Sequence, residues 1–145
     1  MNAVAVDVRA AVPEDAAACA RIVNDWIDGT EWMPRVHDHE DVQRHYRETV
    51  FAQREVLVSG QPVAGYIALD DQDYVTALFV ATPGRGIGKA LLDRAKVMRP
   101  KLNLWTFQVN TGARRFYARE GFREVEMTTG DNEEGLPDVR LEWSA

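Results

Sequence analysis

Residues 75–98, VTALFVATPGRGIGKALLDRAKVM, open with an apolar, β-branched run and pass through a turn holding Pro83, Gly84, Gly86 and Gly88. Beyond the turn, Ile87, Ala90, Leu91, Ala95 and Met98 recur at helical spacing. The stretch predicts strand, glycine turn and helix in succession. Glycines let the backbone approach a ligand because no Cβ shields the amides, and the first turn of a helix offers unpaired N–H groups with a partial positive charge. Together they suit phosphate oxygens.

Spacing separates the phosphate-binding designs that share this physics. A P-loop needs Gly, four residues, Gly-Lys and then Ser or Thr, but Pro83 stands five before Gly88 and Ala90 follows Lys89. A dinucleotide fingerprint needs a third glycine where this chain has Lys89. A glycine turn without any ligand also fits the stretch taken alone.

Working outward, residues 4–9 alternate apolar and polar and read as a first strand. Pro13, Glu14 and Asp15 suit the first turn of a helix that carries Cys19, Ile22, Val23, Trp26 and Ile27 on one face and ends before Gly29. Asp38 and Asp41 read as N-cap and first-turn acid of a second helix through about Val50. Strands at 54–58, 63–69 and 74–80 form an antiparallel meander through the Ser59-Gly60 turn. Pro100 blocks continuation of the central helix. The apolar run in 102–109 predicts a strand buried on both faces. Asn110 reads as the N-cap of a last helix whose inner face is Ala113, Phe116 and Tyr117, with Gly121 as its terminator. Strands at 122–129 and 139–143 follow, and the polar, acidic TGDNEEGLPD between them reads as a mobile loop.

PGRGIGKALL after LFV resembles the acyl-CoA binding motif of the GNAT (Gcn5-related) N-acetyltransferase superfamily, Q/R-x-x-G-x-G/A. NTGARRFYAREGF is similar to that family's second motif, N-x-x-A-x-x-F-Y-x-x-x-G-F. The two occur in the right order and are separated by the strand-like LNLWTFQV. Pro83 stands where the family has Gln or Arg, and the loop is about two residues short. The resemblance implies one α/β domain over residues 1–145, a mixed α+β sheet in the order βααββββαβαββ with splayed fourth and fifth strands around the cofactor.

The 145-residue chain is 46% apolar and 28% charged, ordinary for a globular domain that buries roughly 70% of its unfolded surface. Cys19 is the only cysteine, which excludes an internal disulfide and a cysteine metal cluster. Without a signal-like start or a long apolar run, the sequence reads as cytoplasmic, with no membrane partner. The net charge of −6 hides an asymmetry: residues 85–123 carry 10 basic and 2 acidic side chains, whereas 1–84 carry 6 and 14. A basic segment coinciding with both motifs suits a polyanion such as CoA. The acidic remainder and the lack of a nucleic-acid motif argue against nucleic acid.

The resemblance implies transfer of the acetyl group of acetyl-CoA to a primary amine of a small molecule or peptide in a ternary complex, without metal. Under it, backbone groups of Leu78, Phe79 and Val80 pair with the pantetheine arm, and Arg85, Gly86, Ile87, Gly88 and Lys89 hold the pyrophosphate. Asn110, Ala113 and Phe116 complete the cofactor site, and the Tyr117 phenol protonates the departing thiolate. Arg114, Arg115 and Arg119 are candidates for the adenosine 3′-phosphate. Glu31, His37, His39 and Tyr74 are candidates for the general base. The acceptor pocket is expected from residues 26–37 and the loop after Thr129, with Trp26, Trp32 and Met33 as walls. A homodimer is compatible with this reading. A non-catalytic acyl-CoA sensor or scaffold of the same fold is the alternative, and an acyl chain longer than acetyl is a third.

Overall fold

The computed structural model describes residues 6–145; Val4 and Ala5, the start of the first expected strand, lie outside the described residues. β1 is short, Arg9–Ala10, and pairs antiparallel with Val58 and Leu57 of β2. A 3-10 turn, Pro13–Asp15, leads into α1, Ala16–Gly29. Pro13 sits where a missing N–H is tolerated. Asp15 accepts the Val12 N–H at 2.9 Å and a bond from Arg9 at 2.8 Å. That guanidinium holds the Asp15 carboxyl below the usual carboxylate range.

α2, His39–His45, starts as expected at Asp38, whose carboxylate accepts the Asp41 N–H at 2.8 Å. The helical run continues through a π-helical turn, Tyr46–Val50, into α3, Phe51–Gln53. The apolar pattern gives no sign of the π turn, which rotates Tyr46 and Val50 into the core.

β2 (Glu55–Ser59), β3 (Gly65–Leu69) and β4 (Val75–Val80) form the meander, with Leu57 opposite Ile67 and Ile67 opposite Leu78. Every β3 residue is buried because helices cover both faces. On one face Tyr66 and Ala68 pack with Cys19, Ala20 and Val23 of α1 and with Tyr46. On the other, Ile67 and Leu69 pack with Leu91, Leu92 and Ala95 of α4, Ile87–Met98. Each large aliphatic side chain so buried contributes about 1.5–3 kcal/mol. A Cβ on Gly65 would lie 2.7 Å from Ile87 Cγ2, so the first turn of α4 rests on bare backbone of β3.

The second sheet has the order β5-β7-β6, built from Lys101–Phe107, Asp138–Ser144 and Arg123–Met127. α5, Thr111–Arg119, packs on its inner face through Tyr117 and ends at Gly121, whose φ of 90° only glycine adopts readily. The element order has three strands between the second helical run and α4, as the strand-by-strand reading predicts, where the family order string has four. β5 corrects one expectation. Leu102 and Leu104 are buried, but Trp105 is 41% exposed, opposite Arg140 of β7, so only one face of this sheet is covered.

Among the described residues the two sheets are joined at the backbone by a parallel bridge, Tyr74 to Asn103, with the Asn103 N–H donating to Asp73 O at 2.9 Å. Past that bridge β4 and β5 share no ladder and diverge. The C-terminal half of β4 is hydrogen-bonded to β3 on one side and faces an opening on the other.

Candidate active site

The opening between β4 and β5 is a cleft of about 990 Å³. All twelve residues singled out above line it: Leu78, Phe79, Val80, Arg85, Gly86, Ile87, Gly88, Lys89, Asn110, Ala113, Phe116 and Tyr117. Three stretches separated in the chain are thus brought to one place.

Gly84 and Gly86 have φ of 83° and 75°, the left-handed region that favours glycine, and a Cβ on either would meet nothing within 4 Å. Neither amide donates a backbone hydrogen bond among the described residues. Gly86 is the N-cap of α4 and supplies no side-chain cap, which leaves the first-turn N–H groups of a twelve-residue helix free to receive an anion. A Cβ on Gly88 would make only ordinary contact with the Phe116 ring, at 3.7 Å, so packing does not require glycine there.

The Asn110 carboxamide caps α5 by accepting the Ala113 N–H at 3.2 Å. The α5 face then sets Phe116 and Tyr117 against each other, ring centroids 5.2 Å apart, and Tyr117 against Phe122 at 5.4 Å. The Tyr117 hydroxyl has no hydrogen-bond partner among the described residues, and the residue is only 8% exposed while lining the cleft. A phenol at its ordinary value is already protonated at neutral pH, and burial pushes that of Tyr117 further up.

Half of the ten basic side chains of residues 85–123 form ion pairs within the fold. Lys89 pairs with Asp93 at 3.1 Å and Glu120 at 3.3 Å, and Arg99 with Asp73 at 3.0 Å and Glu55 at 3.2 Å. Arg114 is held by Glu124 through two bonds of 2.8 Å and by Gln108 O at 2.9 Å. With Arg115 it lines a separate groove outside the cleft, so of the three arginines considered for the 3′-phosphate only Arg119 faces the cleft. Arg85 and Arg119 line it without an ion-pair partner among the described residues.

None of the four general-base candidates lines the cleft. His39 is bonded to Asp28 at 2.7 Å, and His37 to Glu133 at 3.1 Å; Glu31 is exposed, and Tyr74 lies at the bridge between the sheets. The His37–Glu133 contact does join the segment after α1 to the β6–β7 loop, the two pieces expected to build the acceptor pocket. Trp26 and Met33 line the cleft as expected, whereas Trp32 backs the wall, 5.8 Å from both Trp26 and Phe107.

The β6–β7 loop, read from its composition as mobile, carries its own hydrogen bonds. Asn132 Nδ2 donates to Leu136 O at 2.8 Å and to Asp138 Oδ2 at 3.2 Å, its Oδ1 accepts the Leu136 N–H at 3.2 Å, and Gln108 Nε2 ties both loop ends at 3.0 and 3.1 Å. Phe107, Ile27 and Glu120 also line the cleft without having been marked by any motif. Their only sequence signal is apolar or charged character at positions that the fold brings together.

A family model for the acetyltransferase (GNAT) domain matches residues 19–145. The peptidyl-lysine N-acetyltransferase YiaC of Escherichia coli strain K12 is 27% identical over 130 residues, covering 81% of this chain and 85% of that protein. The fold is similar to that of apo YjaB from Escherichia coli, with TM-score 0.77, 20% identity and coverage of 97% and 98% of the two chains. It is also similar to yncA from Salmonella typhimurium, solved with its cofactor acetyl-CoA, with TM-score 0.73, 21% identity and coverage of 97% and 94%. Among the described residues no helix is long and apolar enough to cross a membrane, and no cluster of His, Cys, Asp or Glu could hold a metal ion.

Proposed function

Because the chain belongs to the GNAT acetyltransferase family, whose acetyl donor is acetyl-CoA, we propose that it transfers acetyl to a primary amine by direct attack in a ternary complex. The observation that supports this most is the convergence of the two motifs and the β4 strand on one cleft, with open amides at its phosphate end and a protonated phenol in its wall.

In this reading the unpaired edge of β4 at Leu78, Phe79 and Val80 offers backbone N–H and C=O groups to the amides of the pantetheine arm, as an added strand would. The amides from Arg85 to Lys89 receive the pyrophosphate, with the Arg85 and Arg119 guanidiniums as the free cations of that end. Acetyl-CoA supplies an activated thioester. The acceptor nitrogen, as the free amine, forms the new C–N bond, the C–S bond breaks, and Tyr117 gives the leaving sulfur its proton. The proton shed by the acetylated nitrogen passes to solvent, from which the Tyr117 phenolate is reprotonated.

Direct transfer is favoured over a covalent enzyme intermediate because Cys19 is fully buried in α1 and burial pushes its thiol up to about 12. The reading is tested by measuring thiol release from acetyl-CoA with a panel of primary amines, with mass detection of the acetylated product. Amine-dependent release matched by product is expected. Tight acetyl-CoA binding without release for any amine would replace this reading with that of an acyl-CoA sensor.

A further inference from the structure

The acceptor end of the cleft has a chemistry distinct from the phosphate end. Its walls are Trp26 and Ile27 of α1, Met33, Phe79 of β4 and Phe107 of β5. The Trp26 and Phe79 rings lie 5.2 Å apart in a tilted pair, and Trp32 bridges from Trp26 to Phe107 behind them. This is a rigid, apolar and mostly aromatic surface.

Two carboxylates line the cleft, Glu120 and Glu134. Glu120 is committed to Lys89 at 3.3 Å and Lys96 at 3.9 Å. Glu134 has no hydrogen-bond or ion-pair partner among the described residues. Its position is fixed nonetheless, because the Asn132 side chain closes the loop across Leu136, and the Gly135 N–H donates to Asn132 O at 3.1 Å. Gly130 lets the chain turn at φ 111°, and a Cβ there would come 3.1 Å from the Gly135 backbone. The cations lining the cleft, Arg85, Lys89 and Arg119, belong to the glycine turn, α4 and α5.

An ammonium entering this end meets aromatic faces and one uncommitted carboxylate, both of which attract a cation. A carboxylate carried beside that nitrogen would be desolvated with no cation to receive it. Resting on the acetyltransferase reading above, we infer that the acceptor is a primary amine with an aromatic or similarly bulky apolar body and no carboxylate beside the nitrogen. Its ammonium is received by Glu134, and Asn132 is the residue that positions Glu134.

The test is steady-state kinetics with acetyl-CoA and five amines: phenylethylamine, phenylalaninamide, phenylalanine, putrescine and Nα-acetyl-lysine amide. Phenylethylamine and phenylalaninamide should exceed phenylalanine and putrescine in kcat/KM by about tenfold or more, as expected when a charged partner is left unpaired. Glu134→Gln should raise KM for phenylethylamine by about tenfold to a hundredfold, the cost of losing a charged hydrogen bond, with KM for acetyl-CoA and the melting temperature unchanged. Asn132→Ala should move KM for the amine in the same direction and by less, again without moving KM for acetyl-CoA. Blocked lysine outrunning phenylethylamine would overturn the apolar-body assignment and point to a peptide side chain as the source of the amine. Equal use of phenylalanine and phenylalaninamide, with Glu134→Gln kinetically silent, would overturn the inference while leaving the acetyltransferase reading intact. No transfer to any amine by protein that binds acetyl-CoA would overturn both.

Discussion

The two ends of the cleft are built by different means. The end proposed to take the phosphates is mainly backbone, with glycines at positive φ, an uncapped helix start and a strand edge within residues 78–89, joined by the Arg85 and Arg119 side chains. The acceptor end consists of side chains, gathered from α1, the segment after it, β4, β5 and a loop that begins near residue 128. A backbone site accepts any residue that allows the required φ and ψ, so it can be fixed by local sequence. A side-chain site acquires its character only when remote segments meet, here through the His37–Glu133 contact at 3.1 Å and the Trp32–Phe107 contact at 5.8 Å.

The largest effect expected from breaking this division is chemical. Tyr117→Phe keeps the ring against Phe116 and Phe122 and removes only the proton donor, so kcat should fall about 10²- to 10⁴-fold with acetyl-CoA affinity nearly unchanged. Single-turnover kinetics check it, since product release could mask the chemical step.

A titration probes the buried thiol and phenols. Burial pushes the Cys19 thiol and the Tyr46 phenol up to about 12, and the Tyr66 and Tyr117 phenols well above their ordinary value. The unfolded chain ionises these groups near 9.0 for the thiol and 10.0 for the phenols, so it binds fewer protons than the folded chain above those values. The stability held by keeping them neutral is therefore complete below pH 9 and is lost as pH rises through 10 to 12, by on the order of 1 kcal/mol per group per pH unit. Urea denaturation across that range should show the decline, and Tyr117→Phe should make it shallower.

Gly65→Val probes the seat of the glycine turn. The new Cβ would lie 2.7 Å from Ile87 Cγ2 and 3.1 Å from Val80 Cγ1, so these side chains must repack or α4 must move, at a cost of about 1–3 kcal/mol in stability, read from denaturation. The smallest effect is expected at the rim. His37 and Glu133 are 55% and 64% exposed, so His37→Ala should leave the midpoint within error, because an exposed pair contributes little.

These contrasts also explain what the sequence could convey. The helix start at Asp38, the cap at Asn110 and the glycine turn were legible because each depends on neighbours within a few residues. The exposure of Trp105 was not, because an apolar run says nothing about whether a helix covers the second face of its sheet. The tied loop was missed for a related reason. Its acidic, glycine-containing composition matches open turns, and its hydrogen bonds come from Asn132 reaching across the loop and from Gln108, the residue after β5. The surplus of basic residues coincides with both motifs, yet half of the ten serve ion pairs in the fold, leaving Arg85 and Arg119 as the cleft's unpaired cations among the described residues.

The proposed hold of the α4 amides on the pyrophosphate of acetyl-CoA is tested by the pair Gly86→Asn and Gly86→Asp. Both residues tolerate the left-handed conformation Gly86 adopts at φ 75°, and they differ in charge but scarcely in shape. Calorimetric titration should show wild-type protein binding acetyl-CoA far more tightly than ATP or NAD, with about 2.7 kcal/mol of added stability at a hundred times Kd. Gly86→Asn should weaken acetyl-CoA modestly and Gly86→Asp should abolish binding, with the free proteins equally stable. Equal binding of acetyl-CoA by the Asn and Asp variants, or equal binding of acetyl-CoA, ATP and NAD by wild type, would contradict the account.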